Sequence, residues 1–201
     1  MTCTTKSMYK SMEACPGEKV LPGIRRRLYF VPKRYISVWP KLPDVGDEKA
    51  TDMAALAVLD GQFTLAEGEY FQFLDLKDEA SNVTGETVGE EGSKLVNNVA
   101  NAVVAGSKAA IAGFARQVIN DDLVFVYQER AGAFRVIGNE MFTTKVNFSS
   151  DTGTAATDAN TSTFAINCYD ECPAPFYEGT LPLSETQQLD CKTGLVEAVT
   201  V

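Results

Sequence analysis

Apolar and β-branched residues in this chain come in short runs broken by Gly, Pro, Asp or Asn, the pattern of strands joined by turns. The runs 24–31 and 35–39 end at Pro32 and Pro40, and proline cannot donate to a ladder, so each strand stops there or lies at an edge. Residues 40–52 form a polar connection. Segments 54–59 and 62–66 flank Asp60-Gly61, the strongest hairpin signal in the chain. Segment 70–77 is another strand, with Tyr70, Gln72, Leu74 and Leu76 on one face and Phe71, Phe73, Asp75 and Lys77 on the other. Residues 78–92, acidic and glycine-bearing, read as a long exposed loop.

The stretch 95–104 suits a strand or the start of a helix, and the break at Gly106-Ser107 favours a strand followed by an N-cap. A helix is expected over about 108–119. Ile111, Phe114, Ala115 and Val118 recur there at helical spacing, and Arg116 lies near the C-terminus, where a cation is favourable. Segments 123–128 and 133–137 make a second hairpin around 129–132. Strands at 142–149 and 163–169 are separated by a Gly, Thr, Asp and Asn loop at 151–162, and a last extended piece covers 174–181. The expected fold is mainly β: an antiparallel β-sandwich or barrel of about ten short strands with one α-helix. Residues 24–181 are expected to form a single domain, 1–23 an extended N-terminal arm and 182–201 a partly ordered C-terminal tail.

Composition then narrows the chemistry. The 201 residues contain no histidine, the commonest general base and metal ligand, so Ser-His and Cys-His triads and His-containing zinc sites are excluded. Charge is divided unevenly. Residues 1–41 carry nine cations (Lys6, Lys10, Lys19, Arg25, Arg26, Arg27, Lys33, Arg34, Lys41) against Glu13 and Glu18, a net of +7, and the remainder of the chain is at -16. A basic arm on an acidic body points to an acidic partner or to nucleic acid, while the exposed carboxylates of the body repel nucleic acid. No apolar run suits a signal peptide or a bilayer span, which predicts a chain made in a cytoplasm with no membrane partner.

Candidate chemistry is sparse. Glycine-rich phosphate loops are absent, and Asp121-Asp122 and Glu90-Glu91 are the paired carboxylates that a glycosidase-like site could recruit. The oxygen-rich stretch 151–162 lacks the offsets of a calcium loop. Cys3, Cys15, Cys168, Cys172 and Cys191 are an odd number and read as free thiols. No catalytic residue, cofactor or metal is expected. The densest charge cluster, Arg25-Arg26-Arg27 with Lys33-Arg34, has two main readings, an edge strand guarded by charge or a contact with an acidic patch of a neighbouring copy; a nucleic-acid backbone is a third, with only Tyr29 and Phe30 nearby to stack. These five residues are the candidate inter-subunit contact.

Four stretches carry a resemblance: Asn120-Asp121-Asp122-Leu123-Val124-Phe125-Val126, Gly132-Ala133-Phe134-Arg135-Val136-Ile137-Gly138-Asn139, Asp151-Thr152-Gly153, and Pro173-Ala174-Pro175-Phe176-Tyr177. Over roughly residues 60–180 the chain resembles virion structural proteins of tailed phages and prophages of the Bacteroides group, most specifically tail tube (major tail) proteins. The resemblance implies a β-sandwich or barrel flanked by a helix, assembling into a hexameric ring that stacks into a hollow tube. Its partners would be other copies of itself and other virion tail proteins, with transient, non-specific passage of DNA. It would be assembled in the host bacterial cytoplasm and reside in the virion. A head decoration or head–tail joining protein is the nearest alternative. From another class, a carbohydrate-binding β-sandwich would use Trp39 and Tyr70 as stacking platforms.

Overall fold

The computed structural model describes residues 8–17 and 19–199; Cys3, Lys6 and Glu18 of the expected arm lie outside the described residues. Fifteen strands and one α-helix follow in order: β1 (Ile24–Pro32), β2 (Ile36–Val38), β3 (Val58–Leu59), β4 (Thr64–Leu65), β5 (Gln72–Asp75), β6 (Asn82–Val88), β7 (Leu95–Ala105), α1 (Ala109–Val118), β8 (Leu123–Glu129), β9 (Phe134–Ile137), β10 (Lys145–Asp151), β11 (Thr161–Asp170), β12 (Phe176–Tyr177), β13 (Thr180–Pro182), β14 (Gln187–Asp190) and β15 (Leu195–Ala198). The fold is mainly β and sandwich-like, and the described residues form no closed barrel.

Leu123, Val124, Phe125, Val126 and Tyr127 form an unbroken apolar run, and all five are buried. A strand apolar at every position must be covered on both faces. Accordingly β8 lies inside a six-stranded sheet of order β3-β12-β9-β8-β1-β5, the middle layer of the molecule. One face of this sheet, with Leu28, Phe125, Tyr127 and Ile137, packs on α1 and on a four-stranded antiparallel sheet of order β10-β11-β7-β6. The other face, with Tyr29, Val31, Val124, Val126 and Val136, packs on Phe63, Phe71, Tyr177, Leu181, Leu189 and Cys191.

The helix and the hairpin β8–β9 form where expected. Ile111, Ala115 and Val118 are buried, and Phe114 packs on Phe30 and Phe164 at ring-centroid distances of 4.9 and 5.3 Å. The N-cap is Lys108 rather than Ser107, and its side chain makes no capping bond.

Four expectations are corrected. The 78–92 loop contains β6, which pairs with β7 in register from Asn82↔Asn101 to Val88↔Leu95; of the acidic residues only Glu86 lies within the strand, while Val83, Thr84, Thr87 and Val88 suit a pleated surface. The 54–59/62–66 hairpin does not form. Asp52 accepts a hydrogen bond from the Ala55 N–H and holds 55–57 in a 3₁₀ turn, so β3 keeps two residues and pairs in parallel with β12, while β4 pairs with β2. The 174–181 strand breaks at Glu178-Gly179 into β12 and β13, which belong to different sheets. Beyond Pro182 the chain is no loose tail: β13, β14 and β15 form a third antiparallel sheet, and Leu189 and Cys191 are buried against the central layer.

Tyr177 joins these pieces. Its hydroxyl donates to the Thr180 carbonyl at 3.0 Å and accepts from the Phe63 N–H at 3.2 Å, in a site 1% exposed. Tyr177→Phe should cost about 1–3 kcal/mol because a buried N–H loses its partner; urea unfolding measures it, and an unchanged midpoint would contradict it.

Burial also sets the alkaline limit. Desolvation pushes the Tyr127 hydroxyl up to about 12 and raises the Cys168 and Cys191 thiols. These groups are neutral when protonated, and folding strengthens their hold on the proton. Their contribution is whole below the unfolded values, about 8.5 for thiols and about 10 for tyrosine, and is lost as pH climbs through the folded ones. Melting temperature should therefore fall progressively above about pH 9. A flat profile up to about pH 12 would be incompatible with this account.

Candidate assembly surfaces

The sequence-derived contact residues separate into two groups. Lys33 is an internal staple: its ammonium lies 2.8 Å from an Asp122 carboxylate oxygen and donates to the Phe142 carbonyl at 2.6 Å, with its side chain 11% exposed. Arg34 donates from its Nη1 to both Asp121 oxygens at 2.6 and 2.7 Å and lies over the Tyr35 ring. The Asp121-Asp122 pair is thus committed to neutralising these two cations. Arg27 lies 3.3 Å from Asp75 and 4.4 Å above the Phe73 ring. Arg25 and Arg26 are exposed and make no ion pair among the described residues.

These cations do not guard an edge. Strand β1 has neighbours on both sides, β8 and β5, although its register with β8 shifts between Ile24 and Leu28. Lys33→Ala should cost about 1–3 kcal/mol, since it takes the cation from the Asp122 carboxylate and the short hydrogen bond from the Phe142 carbonyl. Exposed Arg25→Ala should stay within about 0.5 kcal/mol. Chemical denaturation of the two variants side by side checks the contrast; equal losses would remove it.

The open edges lie elsewhere. Strands β6 and β10 flank the four-stranded sheet, are seven residues each, and have a partner on one side only among the described strands. Neither contains proline, and β10 carries its charges, Lys145 and Asp151, at its ends. Such strands are templates for pairing with another chain. The inward face of this sheet, with Ala100, Ala102, Phe164 and Ile166, is apolar and buried. The outward face alternates with it. It bears Asn97, Val99, Asn101 and Val103 on β7, Thr163, Ala165 and Asn167 on β11, Asn147 and Ser149 on β10, and Asn82 and Thr84 on β6. Charge there is confined to Glu86, Lys145 and Asp151. Asn82 and Asn101 bond across the strands at 3.1 Å.

The remaining candidates are accounted for locally. The 151–162 loop is closed by Asp158, which accepts from the Thr154 and Ala155 N–H groups; these bonds hold its carboxyl below the usual range. Glu90 and Glu91 lie exposed beside the β6–β7 turn. Trp39 and Tyr70 line different depressions and do not form one platform. Cys15, Cys168, Cys172 and Cys191 are free thiols. Sequence reasoning missed the paired open edges because it read β6 as a loop, and it missed a cavity of about 270 Å³ beside Trp39 that includes Glu140, Asp170 and Glu171. No protein-family model, no curated protein and no solved structure matches this chain.

Proposed function

We propose that this chain is a virion structural protein, a tail tube subunit whose copies join edge to edge into a ring and stack into a conduit for DNA. The observation that carries the reading is the pair of open, seven-residue edges β6 and β10 on one sheet. Every neighbour in the order β10-β11-β7-β6 is antiparallel, so β6 runs opposite to β10. A copy generated by rotation about a ring axis therefore brings its β10 antiparallel to β6 of the first, and the ladder continues across the junction. That contact is heterologous and closes into a ring if the rotation closes.

Outward chemistry supports the second half of the reading. A face of amide, hydroxyl and small apolar side chains, with one lysine against Glu86 and Asp151, offers little to neutralise phosphates, so DNA facing it would slide without being held. The acidic body acts in the same direction. In the family that the sequence resembles the ring is hexameric, and the partners would be other copies and other virion tail proteins.

The test is direct. Purified protein is followed by mass photometry and negative-stain electron microscopy from low to high salt as its concentration rises. Closed rings of one subunit number that stack into hollow tubes are expected. Trimers or isolated rings would favour the head decoration or joining alternative, and monomers throughout would sink both.

A further inference from the structure

The two ends of the central sheet carry unlike chemistry. At the end where β1 begins, Arg25, Arg26, Arg27, Lys77 and Arg130 outnumber Asp75, Asp78 and Glu79. Arg27 and Arg130 are engaged by those carboxylates; Arg25 and Arg26, exposed, make no ion pair among the described residues. The pairing Ile24↔Glu129 and Pro32↔Leu123 runs the length of β1, and Gly138 lies against Val124 near the far end. About 20 Å of strand thus separates the two arginines from Gly138.

At that far end lies the cavity of about 270 Å³, walled by Trp39, Leu42 and Met141 and bearing Glu140, Asp170 and Glu171 against the single cation Lys41. Asp170 is already satisfied: it accepts from the Asn139 amide at 2.9 Å and from the Glu171 N–H at 2.7 Å. Glu140 and Glu171 are exposed, and their carboxylates accept no hydrogen bond among the described residues. An indole wall with free carboxylates beside it suits a guanidinium, which stacks on aromatic faces and forks onto carboxylates.

We propose that the Arg25-Arg26 pair of one copy docks in the Trp39 cavity of the next, head to tail, and supplies the axial contact between stacked rings. The occupant is a second copy because the unpaired cations and the unpaired carboxylates lie at opposite ends of the same sheet. They are too far apart to meet within one molecule and are complementary between two. A contact between unlike ends at opposite faces of a ring propagates along the axis, because the operation relating the copies includes a translation and does not close. The inference rests on the tube reading for its meaning, but the contact itself can be tested separately.

Trp39 is the only tryptophan of the chain, so its emission reports on this cavity. Three full-length variants are compared with the parent by emission across a dilution series and by electron microscopy: Arg25→Glu/Arg26→Glu, Glu140→Lys/Glu171→Lys, and all four substitutions together. The parent should show a concentration-dependent change in Trp39 emission and stacked rings. Each charge reversal should raise the concentration needed for both by about tenfold or more, and the fourfold swap should recover most of it. Parent-like stacking and emission in both reversals would assign the cavity to another occupant and overturn the contact while the tube reading stands. The emission change with its charge-swap rescue but without rings would keep the contact and overturn the tube. No association of the parent at any concentration would overturn both.

Discussion

Replacing Phe164 by alanine should lower the unfolding free energy by about 3–5 kcal/mol, the largest loss expected of a single truncation here. The ring is 1% exposed and lies where three layers meet. It packs on Phe114 of the helix at 5.3 Å and on Phe148 of β10 at 5.1 Å, and its strand pairs with both β7 and β10. Removing it leaves a cavity that the helix cannot fill without drawing Phe114 away from Phe30. For a chain of this size each kcal/mol moves the melting temperature by about 2–4 °C, so a fall of about 10 °C is expected by calorimetry. Assembly should weaken as well, because β10 is one of the two proposed ring edges and loses an anchor. Phe164→Leu, which keeps most of the volume, should recover most of the stability. A loss below about 1 kcal/mol in the alanine variant would mean that the helix and the outer sheet do not share this core.

Asn98→Ala should cost about 2–4 kcal/mol for a different reason. Asn98 is 2% exposed on β7, with the inward-facing residues. Its amide nitrogen donates to the Cys172 carbonyl at 3.0 Å, and its amide oxygen accepts from the Ala174 N–H at 3.0 Å. Both side-chain functions are thereby used on the segment that carries the chain from the outer sheet into β12 of the central one. Arg135 holds the same segment from the other side, donating to the Pro173 and Ala174 carbonyls at 2.6 and 2.7 Å. Alanine would strand one buried donor and one buried acceptor and leave space beside Gly85, which lies close against the Asn98 amide oxygen. Aspartate, nearly isosteric, cannot donate to the Cys172 carbonyl and would bury a charge, so it should be no better than alanine. Urea unfolding of the three proteins decides the matter. An aspartate variant as stable as the parent would show that the clamp does not depend on the amide.

The features that could be read along the chain are those set by neighbours in sequence. Ile111, Phe114, Ala115 and Val118 fall on one face of any helix built there, and α1 follows. The hairpin β8–β9 needs only two apolar runs and a short turn at 129–132, and the pairing Phe125↔Ile137 to Gln128↔Phe134 supplies it. The strand at 95–104 alternates once it is seen as a strand, with Asn98, Ala100, Ala102 and Val104 buried and the residues between them half-buried. The apolar run Leu123–Tyr127 also held an unused signal: no one-sided sheet tolerates apolar residues on both faces, so something had to cover the second face.

What covers it was decided in three dimensions. Leu189 and Cys191 sit among polar residues, and no local pattern says that their strand folds back on a layer sixty residues earlier in the chain. The chain bends at Gly61, yet Asp60 bridges to Lys41, Phe63 is drawn into the second core and the two flanking segments pair elsewhere. Ion pairing was equally non-local. Lys33 and Arg34 looked as free as Arg25 and Arg26 until the helix-to-strand turn brought Asp122 and Asp121 onto the first two, leaving the second pair without an ion pair among the described residues. By itself the sequence determined the β class, the helix, the hairpin beside it and the absence of histidine chemistry, since periodicity and composition are local quantities. Which face each strand buries, which edges stay open and which charges remain unpaired depend on long-range pairing, and only the tertiary structure decided them.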